Sequence, residues 1–169
     1  PALKELLSEI GIDVDVRPQK GQLLSFKTDF DTKDWPVLFL EGAADIIPFQ
    51  EGEILIGATH ENEKGWDLSE SEAAFFDLTE GIKPYFSESK LIEFPYHYRV
   101  RTRAYSADFS PFFGPHPAFS SLAFASALGS SGLTTGPYIA YLLAQYFNHP
   151  ETKWDYSIYQ KDINTYLKY

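Results

Sequence analysis

The run Leu122-Ala-Phe-Ala-Ser126, followed by Ala127-Leu-Gly129-Ser-Ser-Gly132-Leu-Thr-Thr-Gly136-Pro137, reads as a strand, a glycine loop and the opening of a helix. Glycines let the backbone turn sharply and let N–H groups come close to a ligand, and the helix that follows points its partial positive end at the same spot. An anionic partner suits that place. In the helix, Tyr138, Ile139, Leu142, Leu143, Tyr146 and Phe147 form one apolar stripe, and Ala140 and Ala144 leave room for a close neighbour. Pro137 near the first turn and Pro150 beyond the last give start and stop signals. Upstream, Arg99, Arg101 and Arg103 fall at every second position of an extended segment, so they share one face while Tyr98, Val100 and Thr102 share the other. A guanidinium fork matches a carboxylate with two parallel hydrogen bonds, a task lysine performs poorly. The same row would also serve as a solvated strand face paired with some of the 24 acidic residues.

Other uses of a strand, glycine loop and helix lack the residues they require. A dinucleotide fingerprint needs a second parallel strand ending in an acidic residue, and after Pro150 there is an aromatic tail instead. A phosphate-binding loop needs Gly-Lys-Ser or Gly-Lys-Thr, which is absent. The histidines, His60, His97, His116 and His149, have no metal-ligand spacing, and Asp29, Asp31 and Asp34 lack the glycine and terminal glutamate of a calcium loop. No serine sits in a Gly-x-Ser-x-Gly elbow. No metal and no catalytic acid–base dyad is expected.

The order Arg103-Ala-Tyr-Ser-Ala-Asp108-Phe-Ser-Pro111-Phe-Phe-Gly114, with Gly129-Ser-Ser-Gly132-Leu-Thr-Thr-Gly136-Pro137 downstream, resembles the C-terminal part of FAD-dependent amine and amino-acid oxidoreductases, the relatives of glycine oxidase, sarcosine oxidase and D-amino-acid oxidase. Arg17-Pro-Gln-Lys-Gly21-Gln-Leu-Leu and Glu53-Ile-Leu-Ile-Gly57-Ala-Thr59-His-Glu61 are similar to upstream pieces of the same family. The resemblance implies an α+β fold: a largely antiparallel, mixed sheet with helices packed on one face, the substrate-binding domain of a two-domain flavoprotein plus its C-terminal helix. It implies that Arg103 holds the substrate carboxylate, with Arg101 and Tyr105 nearby. It also implies that Gly129, Ser130, Ser131, Gly132, Leu133 and Thr134 lie beside the flavin ring, where a helix N-terminus would stabilise the negative charge of the reduced cofactor. Ala127 stands where the family usually has glycine, and the histidine that often follows is missing.

At 169 residues, with 44% hydrophobic and 17% aromatic composition, the chain is long enough for one domain with a real core. A net charge of −10 argues against nucleic acid, whose phosphates repel an acidic surface. The absence of cysteine excludes disulfides, and no apolar run is long enough for a membrane span, so a soluble, cytoplasmic protein is expected.

From the start of the chain, Leu3, Leu6, Leu7 and Ile10 mark a short amphipathic helix ended by Gly11, and Ile12, Val14 and Val16 alternate as a strand limited by Pro18. Pro18 to Gly21 is either a turn or the crossing between two domains, and Gly21 to Phe26 is a strand. Thr28 to Trp35 is a loop. Val37–Leu40, Ala44–Phe49 and Ile54–Thr59 read as strands, with a hairpin turn at Gln50-Glu-Gly52-Glu and a bulge or a close approach at Gly57. Ser69-Glu-Ser-Glu72 has the spacing of a capping box, which starts a helix ending near Gly81 and Pro84. Pro95 bends or edges the long strand Leu91–Tyr105, and Trp154, Tyr156, Tyr159, Ile163, Tyr166 and Leu167 suggest a final amphipathic helix.

These readings divide the chain into a substrate-binding sheet region over 17–105, a flavin-facing loop and helix over 106–150 and a tail helix over 151–169. Since no Gly-x-Gly-x-x-Gly is present, the expected partner is a missing N-terminal dinucleotide-binding half, and FAD is expected in the complete protein but not in this fragment. The resemblance implies oxidation of a small amine or amino acid by hydride transfer to the flavin. The alternative, of a different class, is a non-catalytic binding or interaction module that has lost the FAD-binding half.

Overall fold

The computed structural model describes residues 1–41, 44–85, 90–149, 151 and 161–168. In chain order the elements are α1 (Ala2–Ser8), β1 (Asp13–Val14), β2 (Arg17–Lys27), β3 (Asp45–Pro48), β4 (Glu53–Gly57), α2 (Glu72–Ile82), β5 (Tyr96–Tyr105), β6 (Phe112–Pro115), β7 (Ala123–Ser126), α3 (Gly132–Asn148) and β8 (Leu167–Lys168). The fold is α+β. The chain forms two compact units, Pro1–Pro18 with Arg103–Tyr169, and Gln19–Thr102.

The first unit is assembled from both ends of the chain. β1 pairs antiparallel with β8, Asp13 opposite Lys168 and Val14 opposite Leu167. Leu7 of α1, Ile12, Val14 and Val16 pack with Phe112, Phe124, Ile163, Tyr166 and Leu167 in one core. Each such side chain contributes roughly 1.5–3 kcal/mol when fully buried. Tyr166 stacks on Phe112 with centroids 4.5 Å apart and planes at 11°, which adds about 1 kcal/mol. β6 and β7 form an antiparallel hairpin, Phe112 opposite Ser126 and Pro115 opposite Ala123. α3 seals the other side of that hairpin through Ile139 and Leu142 on Phe113, with Ala125, Leu128 and Leu143 alongside.

The second unit holds a four-stranded sheet in the order β3-β4-β2-β5. β4 runs antiparallel to both neighbours, with Gly57 opposite Leu23 on one side and Asp45 on the other. Strand alternation sends Leu24, Phe26, Ile46, Ile54 and Ile56 to one face, where they meet Leu78 and Ile82 of α2. The turn between β3 and β4 is locked from the preceding loop. Thr28 donates its hydroxyl to the Gly52 carbonyl at 2.8 Å, and the Gly52 N–H donates to Thr32 Oγ1 at 3.1 Å. Gly52 has φ +75, and a Cβ there would lie 2.4 Å from the Thr28 carbonyl oxygen, so only glycine fits.

Several expectations are corrected. Pro18 to Gly21 is not a turn, because β2 runs unbroken from Arg17 to Lys27 and proline is tolerated at a strand's second residue. The other expectation, a crossing between domains, agrees with the boundary between the two compact units, which falls between Pro18 and Gln19. Val37–Leu40 is not a strand: Leu38 makes a single bridge to Ile46, and Phe39 is 80% exposed. Of the two expectations for Gly57, the close approach holds and the bulge does not: the register is regular, and the glycine admits the Leu23 side chain, whose Cγ and Cδ2 would lie 2.6 Å from a Cβ at that site. The cap of α2 is Ser71, not Ser69, since Ser71 Oγ accepts from the Ala74 N–H at 3.3 Å. Of the expected tail helix, Trp154, Tyr156 and Tyr159 lie outside the described residues, and Ile163–Thr165 is a 3-10 turn leading into β8. The α3 stripe is narrower than expected: Tyr138 and Phe147 are 52% and 45% exposed.

Candidate functional site

The three arginines of β5 have different surroundings, although alternation puts them on one face. Tyr98 and Val100 turn inward; the Tyr98 hydroxyl donates to the Ser71 carbonyl at 3.2 Å, and burial raises its pKa. Arg99 is taken by Glu53 in an ion pair, and the Ser25 hydroxyl donates to the same carboxylate at 2.6 Å. Ser25 first, with Arg99 beside it, holds the Glu53 carboxyl below its ordinary range. Arg101, in the second unit, is exposed and turns one N–H back to the Val100 carbonyl at 2.7 Å. Arg103 lies in the first unit and is half-buried, and desolvation pulls its pKa below the usual value. A desolvated guanidinium binds a carboxylate more strongly than one in bulk water.

Within the first unit the glycine loop is fastened to the end of β5. The Gly129 N–H donates to the Ala104 carbonyl at 3.0 Å, setting the loop beside the residue that follows Arg103. Tyr105 is not an open pocket wall; its ring is buried and stacks on Phe109 at 5.1 Å and 14°. The loop makes its turn with two left-handed residues, Ala127 at φ +60 and Gly129 at φ +54. Ser131 precedes α3 but does not cap it with its side chain; that hydroxyl donates to the Leu128 carbonyl at 2.9 Å. The Ser131 carbonyl accepts from Thr134 and Thr135 at 3.0 and 2.9 Å, so the Gly132 and Leu133 N–H groups lead the helix. Gly129, Ser130, Ser131, Leu133 and Thr134 are exposed and Gly132 is half-buried, and a Cβ built on Gly129 would meet nothing within 4 Å. Open space beside leading N–H groups and a positive helix end is a cradle that fits the electron-rich edge of a planar anionic ring.

Two further clusters were not foreseen from sequence. Asp108 gathers the loop after β5 and the chain's end: Oδ1 accepts from Ser106 Oγ at 2.7 Å and the Ser110 N–H at 3.2 Å, and Oδ2 accepts from Tyr166 at 2.9 Å and from Lys161. Lys161 first, then Ser106, hold its carboxyl well below the usual carboxylate range. In the second unit, Lys20 is 1% exposed and donates to the Ser69 carbonyl at 2.5 Å, with Glu61 and Asp67 carboxylates each 3.9 Å away. The backbones of Lys20 and Glu61 also form an antiparallel bridge. The two upstream pieces that carry the family resemblance are therefore partners in space. Gln19, Lys20 and Gln22 are all buried although polar, and burial along β2 does not alternate, so no period in the sequence marked this pairing.

Among the described residues no cluster of histidine and acidic side chains could hold a metal ion, and no helix is long and apolar enough to cross a membrane.

A family model described as FAD dependent oxidoreductase matches residues 2–146. The chain belongs to this FAD-dependent oxidoreductase family. As a member, it is 33% identical over 160 residues to the uncharacterized oxidoreductase YurR of Bacillus subtilis, covering 92% of this chain and 42% of that protein. It is 30% identical over 140 residues to a glycine oxidase of Pseudomonas aeruginosa, covering 83% of this chain and 37% of the relative. Among solved structures it is similar to iminodiacetate oxidase from Chelativorans sp. BNC1, with TM-score 0.81 and 26% identity over 94% of this chain and 43% of that one. This family member thus spans less than half the length of the curated relatives it matches.

Proposed function

We propose that these residues are the substrate-binding part of an FAD-dependent oxidoreductase that oxidises a small amine or amino acid at its CH–NH group. Residues 17–105 would supply the sheet of the substrate-binding region, 106–150 the flavin-facing loop and helix, and 151–169 the C-terminal tail. The remaining length found in the relatives would supply the dinucleotide-binding half, and FAD would be held by the complete protein.

The observation that supports this reading is the hydrogen bond from Gly129 to Ala104, which ties the glycine loop to the strand residue next to Arg103. Arg103 would hold the substrate carboxylate, and its partial desolvation strengthens that bond. Arg101, exposed on the same strand, offers a second fork to an acidic substrate. Tyr105, stacked on Phe109, fixes the end of the strand on which Arg103 sits. The residues Gly129 to Thr134 would lie beside the ring, with the open space at Gly129 and the leading N–H groups of α3 available to it. When bound, the flavin supplies the two-electron acceptor for hydride from the substrate carbon that carries the nitrogen. The chain's contribution is positioning and electrostatics, which needs no general base of its own.

Arg103→Lys in the flavin-containing protein removes the two-pronged contact but keeps the charge. The expected result is a KM at least tenfold higher, the equivalent of about 1.5 kcal/mol lost with one charged hydrogen bond, while the flavin spectrum is unchanged. Unaltered kinetics would remove Arg103 from the site. The 169-residue chain by itself is expected to be colourless.

A further inference from the structure

An open cleft of about 610 Å³ lies in the second unit, between the end of β4 and one side of α2. One wall is polar, formed by Thr59, Glu61 and Ser71. Gln22, fully buried behind them, holds all three. Its backbone N–H donates to Thr59 Oγ1 at 3.0 Å, and its side-chain amide donates to Glu61 Oε1 at 2.7 Å and Ser71 Oγ at 2.9 Å. Thr59 donates to the same Glu61 oxygen at 2.7 Å. Glu61 is therefore clamped through Oε1, its Oε2 lies 3.9 Å from the buried Lys20 ammonium, and the side chain is still 23% exposed where it lines the cleft. The other wall is apolar and made of small residues, Ala44 and Ala74 with Leu78. Asp77 and His60 also line the cleft. With Glu61 and Asp77 both lining it, and the Lys20 ammonium beside Glu61 shared with Asp67, these three carboxylates outnumber that ammonium.

A preorganised carboxylate and apolar side chains lining one cleft are the groups that receive a cation with an alkyl arm. We propose that this cleft is a binding site for a small alkylammonium ion, its ammonium on Glu61 and its chain against Ala44, Ala74 and Leu78. Arg103 and the glycine loop take no part in it, so the site stands or falls separately from the oxidoreductase reading.

The test titrates the 169-residue chain, without flavin, with n-butylammonium chloride. Chemical shifts of backbone amides are followed, with sodium butyrate and sodium chloride as controls. Binding with a Kd of about 1 mM is expected, as befits a ligand of five heavy atoms, with shifts centred on Thr59, Glu61 and Ser71 and none beyond the salt control for butyrate. Glu61→Gln keeps an acceptor for Gln22 but removes the charge, and is expected to weaken binding at least tenfold. Ala73→Leu, at an exposed helical position on the rim, fills the mouth and should abolish binding while the circular dichroism spectrum stays that of the parent. Equal binding of butyrate, or parent-like affinity in both Glu61→Gln and a folded Ala73→Leu, would overturn the proposal.

Discussion

Replacing Asp108 by asparagine separates charge from shape at the point where the loop after β5 meets the end of the chain. Asparagine keeps Oδ1 for the Ser106 hydroxyl and the Ser110 N–H. In place of Oδ2 it puts an NH2 group against Lys161 and Tyr166, which both donate to the native carboxylate. Tyr166 can rotate its hydroxyl and accept, but Lys161 cannot. A hydrogen bond to a charged group is worth about 1.5–3 kcal/mol, and an exposed ion pair about 0–1 kcal/mol. The Lys161 and Asp108 side chains are 46% and 44% exposed, so solvent screens that pair; the cost comes from the bond of the buried Tyr166, where losing the charge is worth about 1–2 kcal/mol. Urea unfolding of parent and variant at pH 7 should show that difference. The native carboxyl titrates below its unfolded value of about 3.9, so its contribution is complete above that pH and drains away as the pH falls below it. The gap between the two proteins should therefore shrink between pH 4 and pH 2, because asparagine has no proton to take up. The raised pKa of Lys161 places the opposite limit in alkali, where the bond weakens as the ammonium loses its proton. A gap absent at pH 7, or unchanged from pH 7 to pH 2, would refute the account.

Gly52→Ala should cost at least about 3 kcal/mol in the same assay, since the new methyl collides with the Thr28 carbonyl and the residue must also adopt φ +75. Lys20→Met should cost about 2 kcal/mol, by leaving the Ser69 carbonyl and the Glu61 carboxylate without their buried donor. Ala127→Gly should be within about 1 kcal/mol of the parent, the relief of a left-handed alanine being offset by a lost buried methyl and a freer unfolded chain. Ala127→Val, by contrast, should destabilise by more than about 2 kcal/mol, and thermal melts of the pair decide both.

Much of the first unit's site was legible because it is local. The strand Ala123–Ser126, the glycine loop and the helix from Gly132 follow one another in the chain, and the alternation of Arg99, Arg101 and Arg103 with Tyr98 and Val100 is a matter of period two. The family pattern also marked residue 127 as a glycine position, and its left-handed backbone gives the physical reason. What stayed hidden is non-local. Lys20 and Glu61 are 41 positions apart, Asp108 and Tyr166 are 58 apart, and no periodicity names such partners. Two serines at cap-like positions two residues apart, Ser69 and Ser71, cannot be ranked until Gln22 is seen to donate to one of them. Apolar composition misled at Val37–Leu40, where hydrophobic residues lie on the surface with a single bridge rather than a ladder.

The helix Gly132–Asn148 carries no ionisable side chain other than its tyrosines in 17 residues, and Leu133 at its start is 97% exposed. In dilute buffer the chain's ten surplus negative charges keep molecules apart. Added electrolyte shortens the reach of that repulsion to about 10 Å at 0.1 M while leaving the oily surface as it was. Purification should reflect this: the protein grows stickier, not freer, as the ionic strength of the column rises.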